Sequence, residues 1–265
     1  MGELDNYPVQ ISGLEQGTMS QNTIRASQNR CIVLTSTSGV TVSQNVAYDT
    51  FGHCFTVDGG SSSNIISKNI GMLTKAIPKN SLVSLFQSDY LPATFWTASP
   101  DNAFESNVAA GSEWHGFWFQ IDTAKESVAL GSFVNNIAHS NEGDGVTLYP
   151  NGYLPATTAT LENTKSYLNK GYGMTIHRST NVKVYKGLFS DNRMGVSLRR
   201  SDKIHLSSLK ITGVSATYKA VSKTMSMATL CPAHRAIVGV QLMSNTQFPH
   251  HTGSSLENIA FENFT

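Results

Sequence analysis

Glu113, Trp114 and His115 stand side by side in the stretch AAGSEWHGFWF, between a turn of small residues and an aromatic run. A tryptophan on a groove wall stacks on a sugar ring, and Trp96 offers a second such surface. A neighbouring carboxylic acid can protonate a glycosidic oxygen, and hydrolysis then needs a second carboxyl roughly 5 to 9.5 Å away. Asp58, Asp101, Glu105 and Glu142 are the candidates for it. His53 closely precedes Asp58, and the two together offer an acid–base pair or a sugar contact. If the chain is an enzyme, Glu113, Asp58 and His53 are the residues to carry it; a lone imidazole beside Cys54 equally reads as a satisfied corner residue. In AHSNEGDG, His139 is followed by Glu142 and Asp144. Their carboxylates are candidates for calcium, against the plainer reading of a turn. His177-Arg178 and Arg199-Arg200 close two similar segments, TIHRS and SLRRS. Stacked in register they form a basic stripe that reads a carboxylated polysaccharide, or neutralises its acid group in a lyase-type elimination. The alternative is a solvated edge that discourages further strand pairing. The basic clusters HRA at 234–236 and PHH at 249–251 have no evident partner.

These residues need elements to hold them. Helical periodicity is almost absent, and short alternating runs rich in β-branched residues are punctuated by Asn and Gly. One shape recurs: a short strand, Asn-x-Ala or Asn-x-Gly, a turn, then Gly and another strand. It appears at 40–57, 64–74, 102–120 and 131–149, and more loosely at 161–179 and 182–201. Successive asparagines lie 24 (Asn45 to Asn69), 29 (Asn107 to Asn136) and 23 (Asn169 to Asn192) residues apart. A period of that length with no helix predicts the coil of an all-β, right-handed parallel β-helix. Equivalent residues then stack at about 4.8 Å. Inward asparagines at one corner, Asn45, Asn69, Asn107 and Asn136, are expected to form a hydrogen-bonded ladder. The Gly before the following strand is expected to supply a positive φ. Segments 75–92 and 212–236 break the period and read as loops inserted in a single domain spanning 1–265. In GFWFQ, alternation sends Phe117 and Phe119 one way and Trp118 the other, leaving Trp114 as the exposed tryptophan.

The chain has 265 residues, a formal net charge of +1 and only 14% charged residues. That balance excludes a broad nucleic-acid face or a polybasic membrane tail. No apolar run approaches the ~18 residues of a spanning helix, and no secretory leader follows Met1. Both ends look cut, as in a piece of a longer protein, and a solenoid with open ends is expected to associate end to end. Cys31 and Cys54 lie in apolar runs and, with Cys231, make an odd count, which predicts buried free thiols. No Cys/His spacing suits zinc, and no phosphate loop, dinucleotide fingerprint or nucleophile elbow occurs. No cofactor is expected beyond the calcium candidate.

The segments YDTFGHCFTVDGG, NIGMLTKA, TFWTASPDNAFESNVAAGSEWHGFWF and NNIAHSNEGDG follow an order that resembles one family. It comprises the parallel β-helix regions of fibrocystin, fibrocystin-like protein and the related hyaluronan-depolymerising proteins of the cell surface. The likeness is best over 40–150 and traceable to RAIVGVQLMSNT. It implies a right-handed β-helix of a large extracellular or cell-surface protein, a hyaluronan-like glycan or a surface protein as partner, and a family histidine at His53. The hyaluronan-active relatives open this region with a strand of the form His-Pro-Ile-His-Phe-His. Here that strand reads YPVQIS, with Tyr7, Gln10 and Ser12 at the histidine positions. The expectation is therefore a non-catalytic module that binds glycan or protein through Trp114, His115, Trp96, His177, Arg178, Arg199 and Arg200. A polysaccharide hydrolase or lyase, and a structural spacer, are the alternatives.

Overall fold

The computed structural model describes residues 6–78, 87–216, 238–244 and 252–264. Three strands per coil build three parallel sheets of nine strands each, with every strand paired to its equivalents one coil away. This is a right-handed parallel β-helix. The first sheet carries most of the aromatic and basic candidate residues. Its strands include Phe55–Val57, Ala93–Thr97, His115–Phe119, Val146–Leu148, Tyr172–His177 and Met194–Arg199.

Alternation in these strands sends one set of side chains inward. Phe55, Phe95 and Phe117 stack through the core with successive ring centroids 4.7 Å apart, and Phe119 packs at their end. Each fully buried ring contributes about 1.5–3 kcal/mol, with roughly 0.5–1.5 more from stacking. The other set makes an outward column: Val33, Thr56, Trp96, Trp118, Thr147, Thr175, Ser197 and Gln241.

Asparagine ladders turn the corners. Between the second and third sheets, Asn45 donates through both its backbone N–H and Nδ2 to Asn69 Oδ1. Asn69 does the same to Asn107, and Asn107 to Asn136. Their Nδ2 groups also reach backbone carbonyls, as Asn69 does to Val42, so buried amides are fully used. Asn141, Asn169 and Asn192 form a separate ladder at the corner between the third and first sheets. Asn64 and Asn102 form one at the remaining corner.

The glycine expectation holds on some coils and not on others. Gly52 and Gly111, ahead of the first-sheet strands at Phe55 and His115, have φ of +70° and +68°. Gly116, Gly145, Gly173 and Gly195, at the start of later first-sheet strands, do not. Their role is close approach: a Cβ on Gly145 would lie 2.8 Å from the Gly173 carbonyl oxygen and against Ser166 Oγ. The left-handed conformation also falls on the residue before the ladder asparagine, at Gln44, Lys68, Ser106, Asn135, Ser140 and Leu168. The ladder bonds hold these non-glycine residues in that region despite its cost.

The cysteine expectation is also overturned. Cys31 and Cys54 form a disulfide with a Cα–Cα distance of 4.5 Å. They lie just before the paired strands at Ile32 and Phe55. Their separation of 23 residues is one coil, which brings the two thiols together. Reading each apolar run by itself concealed that register. Cys231, the clusters at 234–236 and 249–251, and most of the 212–236 insertion lie outside the described residues. Of the 75–92 insertion, residues 79–86 do so too. Its end forms a short turn at Gln87–Tyr90 that seats Asp89 against Arg30 and His53.

Candidate functional site

The outer surface of the first sheet carries two adjoining hollows. One, of about 430 Å³, lies among Trp114, His115, Trp118, Asp144, Lys170, Tyr172, Arg193 and Arg199. The other, of about 530 Å³, lies among Tyr149, Pro150, His177, Arg178, Arg199, Arg200 and Met243. Tyr149 and Arg199 line both, so the two form one groove running across the coils.

Stacking places these residues. His177 pairs with Arg199, and Arg199 with Met243, across consecutive first-sheet strands. Arg178 and Arg200 follow on the next corner, both with positive φ. Thus the two dipeptides that looked alike in sequence lie on adjacent coils. Five cationic side chains, Lys170, Arg178, Arg193, Arg199 and Arg200, line the groove against two carboxylates, Glu142 and Asp144. Glu142 pairs with Lys170. Asp144 Oδ1 accepts from the Tyr172 backbone N–H at 2.8 Å, and Oδ2 from the Thr175 hydroxyl at 2.7 Å. The calcium candidates are therefore both engaged by protein donors, and the residual charge of the groove is positive.

His115 is 8% exposed, and its Nδ1 accepts from the Asp144 backbone N–H at 3.0 Å. Burial lowers its pKa to about 4, against the opposing pull of Asp144. The ring is neutral, its proton sits on Nε2, and it lines the groove. Burial also lowers His177, aided by Arg178, Arg200 and Arg199 and opposed by a hydrogen bond to Pro150. Arg199 Nη2 donates to Tyr172 Oη at 2.8 Å, and its guanidinium lies 5.0 Å from the Tyr172 ring centroid. Trp114 is 37% exposed at one end of the groove.

Other expected residues go elsewhere. Trp96 is buried beside Trp118, and stacks on His53 with centroids 5.3 Å apart. His53 is enclosed, its Nδ1 accepting from Ala93 N–H and its Nε2 beside Ser88 Oγ. Burial lowers its pKa to about 3. Asp58 Oδ1 accepts from Ser36 N–H and the Ser61 hydroxyl after one end of the first sheet. Glu113 Oε2 accepts from Ala76 N–H before the other end. The strand length between them, about 16 Å, is too great for a hydrolytic carboxyl pair. Asp101 takes a hydrogen bond from Ser99, Glu105 lies on the second sheet, and His139 stacks on Tyr167 on the third. Tyr149, Lys170, Tyr172 and Arg193 escaped the sequence reading. Aligning coils by register would have found Tyr149, since it directly follows the strand paired with Met174–Ile176.

Comparison with known proteins agrees with this architecture. The family model described as "CEMIP beta-helix" matches residues 5–146, and the "Right handed beta helix region" model matches 126–258. The chain is 32% identical to the cell surface hyaluronidase of Danio rerio, over 55% of this chain and 13% of that protein. It is 29% identical to fibrocystin-L of Mus musculus, over 53% of this chain and 4% of that protein. The chain thus spans a small part of these relatives. Among solved structures, the mannuronan C-5 epimerase A-module of Azotobacter vinelandii aligns with a TM-score of 0.41 at 13% identity, covering 94% of this chain and 87% of that one. With its first half matched by one family model and its second half by the general model of the fold, the chain belongs to the CEMIP beta-helix family.

Proposed function

We propose that this chain is the polysaccharide-binding β-helix module of a cell-surface or secreted protein, and that it holds a carboxylated, hyaluronan-like glycan along the first-sheet groove. The observation that carries this reading is the register of His177-Arg178 with Arg199-Arg200, continuous with Tyr149, Tyr172 and Trp114. Guanidinium groups recognise carboxylates by paired hydrogen bonds, and aromatic rings take the apolar faces of sugars. The name of the hyaluronidase relative supports the glycan class, and the disulfide suits an oxidising, extracellular setting. Retention of the purified chain on immobilised hyaluronan and on a mixed glycan panel tests the reading. Absence of retention on every glycan would leave a protein-binding module or a spacer.

A further inference from the structure

The sequence holds 20 asparagines, and only Asn263 is followed two residues later by a hydroxyl residue, in Asn263-Phe264-Thr265. The fold explains why the ladder asparagines are excluded from that pattern. Two residues after Asn45, Asn107 and Asn136 come Ala47, Ala109 and Ala138, which point inward from the third sheet and are buried. The ladder amides are themselves buried and bonded from coil to coil. Asn263 stands differently. It directly follows the third-sheet strand Ala260–Glu262. Ser190 pairs with Thr212 and Thr212 with Glu262, so Asp191, Gly213 and Asn263 lie one above another at the corner between the third and first sheets. A φ of 55° puts Asn263 in the left-handed region, which asparagine enters more readily than most residues. The backbone there is held on both sides: the Val214 N–H donates to the Asn263 carbonyl oxygen at 3.1 Å, and Phe264 packs against the core. The Asn263 side chain is exposed, and no hydrogen bond engages its amide among the described residues.

Asn-x-Thr, with x other than proline, is the acceptor pattern for N-linked glycan transfer. The Cys31–Cys54 disulfide suits the oxidising compartment in which that transfer occurs. On the reading that the chain belongs to a cell-surface or secreted protein, we propose that Asn263 carries an N-linked oligosaccharide, transferred from a polyprenyl diphosphate donor. The C1–O bond between sugar and diphosphate breaks, a bond forms from C1 to Asn263 Nδ2, and the lipid diphosphate leaves with the amide proton. The Thr265 hydroxyl is the group that marks the acceptor for the transferase. Transfer precedes folding, so exposure matters for the product: the coil must close with the glycan in solvent. Two coils, about 10 Å, separate Asn263 from Asp191, which lies two residues before the groove residue Arg193. The glycan therefore stands on the groove side of the molecule, although Asn263 lines neither hollow.

The test expresses the chain behind a secretory leader in cultured animal cells and treats it with an N-glycosidase that cleaves at the asparagine amide. A faster-migrating band, with aspartate at position 263 in the peptide masses, is expected. Asn263→Gln should abolish the shift. Thr265→Ala, which keeps Asn263 and its corner, should abolish it too, and Thr265→Ser should restore it. Disulfide-bonded chain with no shift overturns the proposal, as does a shift that persists in Thr265→Ala. Because transfer precedes export, chain retained in the cell is read in the same way. Retention on immobilised hyaluronan, measured on the same samples, reports on the groove alone. A glycosylated chain that is not retained keeps the site and removes the groove reading; a retained chain without the shift does the reverse.

Discussion

Arg30 clamps Asp89 through two hydrogen bonds, Nε to Oδ1 at 3.2 Å and Nη2 to Oδ2 at 2.7 Å, with side chains only 4% and 1% exposed. The same Asp89 Oδ1 accepts from the His53 backbone N–H at 3.0 Å. One carboxylate thus fastens the Gln87–Tyr90 turn to the body of the helix. Burial alone would raise its pKa, but His53 and Arg30 hold it below the usual carboxylate value. Asp89→Ala leaves the Arg30 charge buried with its main counter-ion gone. We expect a loss of about 3–5 kcal/mol in urea unfolding, and a loss below about 1 kcal/mol would show that the turn contributes little.

Stability should depend on pH in a defined sense. His53 and His115, with pKa values lowered to about 3 and about 4, stay neutral in the fold while the unfolded chain protonates them near 6.5. The unfolded state therefore binds more protons below 6.5. Stability from these groups is full above that pH and declines as pH falls toward 4 and 3, by up to about 1.4 kcal/mol per imidazole per pH unit. Urea midpoints measured between about pH 7 and about pH 5 should fall steadily. Constant midpoints would contradict the burial assigned to both rings.

The Cys31–Cys54 disulfide closes a loop with a sequence separation of 23. Reduction should lower unfolding free energy by about 2–4 kcal/mol. Thiol titration of the native, unreduced chain should find neither cysteine reactive, and Cys31→Ser should expose a new thiol at Cys54. Two reactive thiols at these positions in the untreated chain would refute the bond.

Gly145→Ala should be costly although the residue's φ is ordinary, because the added methyl meets the next coil's backbone and Ser166. A loss of about 1–3 kcal/mol is expected from overpacking. Gly143, beside Trp114 and His115, is equally confined by the Trp114 carbonyl at 2.7 Å, so Gly143→Ala should disturb the groove as well. Unaltered stability in Gly145→Ala would mean that the coils can separate locally.

The fold was legible because its devices repeat. Alternation in GFWFQ and the Asn spacing specify strands and coil length without any long-range information. What stayed hidden was register. The spacing of 23 between Cys31 and Cys54 is visible in the chain, but becomes a bond only once one coil is known to be that long. Likewise Glu113 and Asp58 appeared as partners by residue type, whereas the fold puts them beyond opposite ends of a sheet. His177 and Arg199 were singled out correctly as basic residues that stack. Tyr172 lies in register with Met194 on the adjoining coil rather than with Arg199, so its hydrogen bond to Arg199 gave no spacing signal. The non-catalytic expectation drew on the neutral surface and the family resemblance as well as on YPVQIS, whose strand Val9–Ser12 lies at the far end of the first sheet from the groove. The imidazoles of the groove come from His115 and His177 instead.

The most direct test of the groove is calorimetric titration of the chain with glucuronate-containing hyaluronan oligosaccharides, beside an Arg199→Ala, Arg200→Ala double variant. The account predicts binding to the wild type that weakens as salt is raised, and a loss of about 1.5–3 kcal/mol or more in the double variant as charge-assisted hydrogen bonds disappear. Equal affinity in both proteins, or no heat with the wild type, would contradict it.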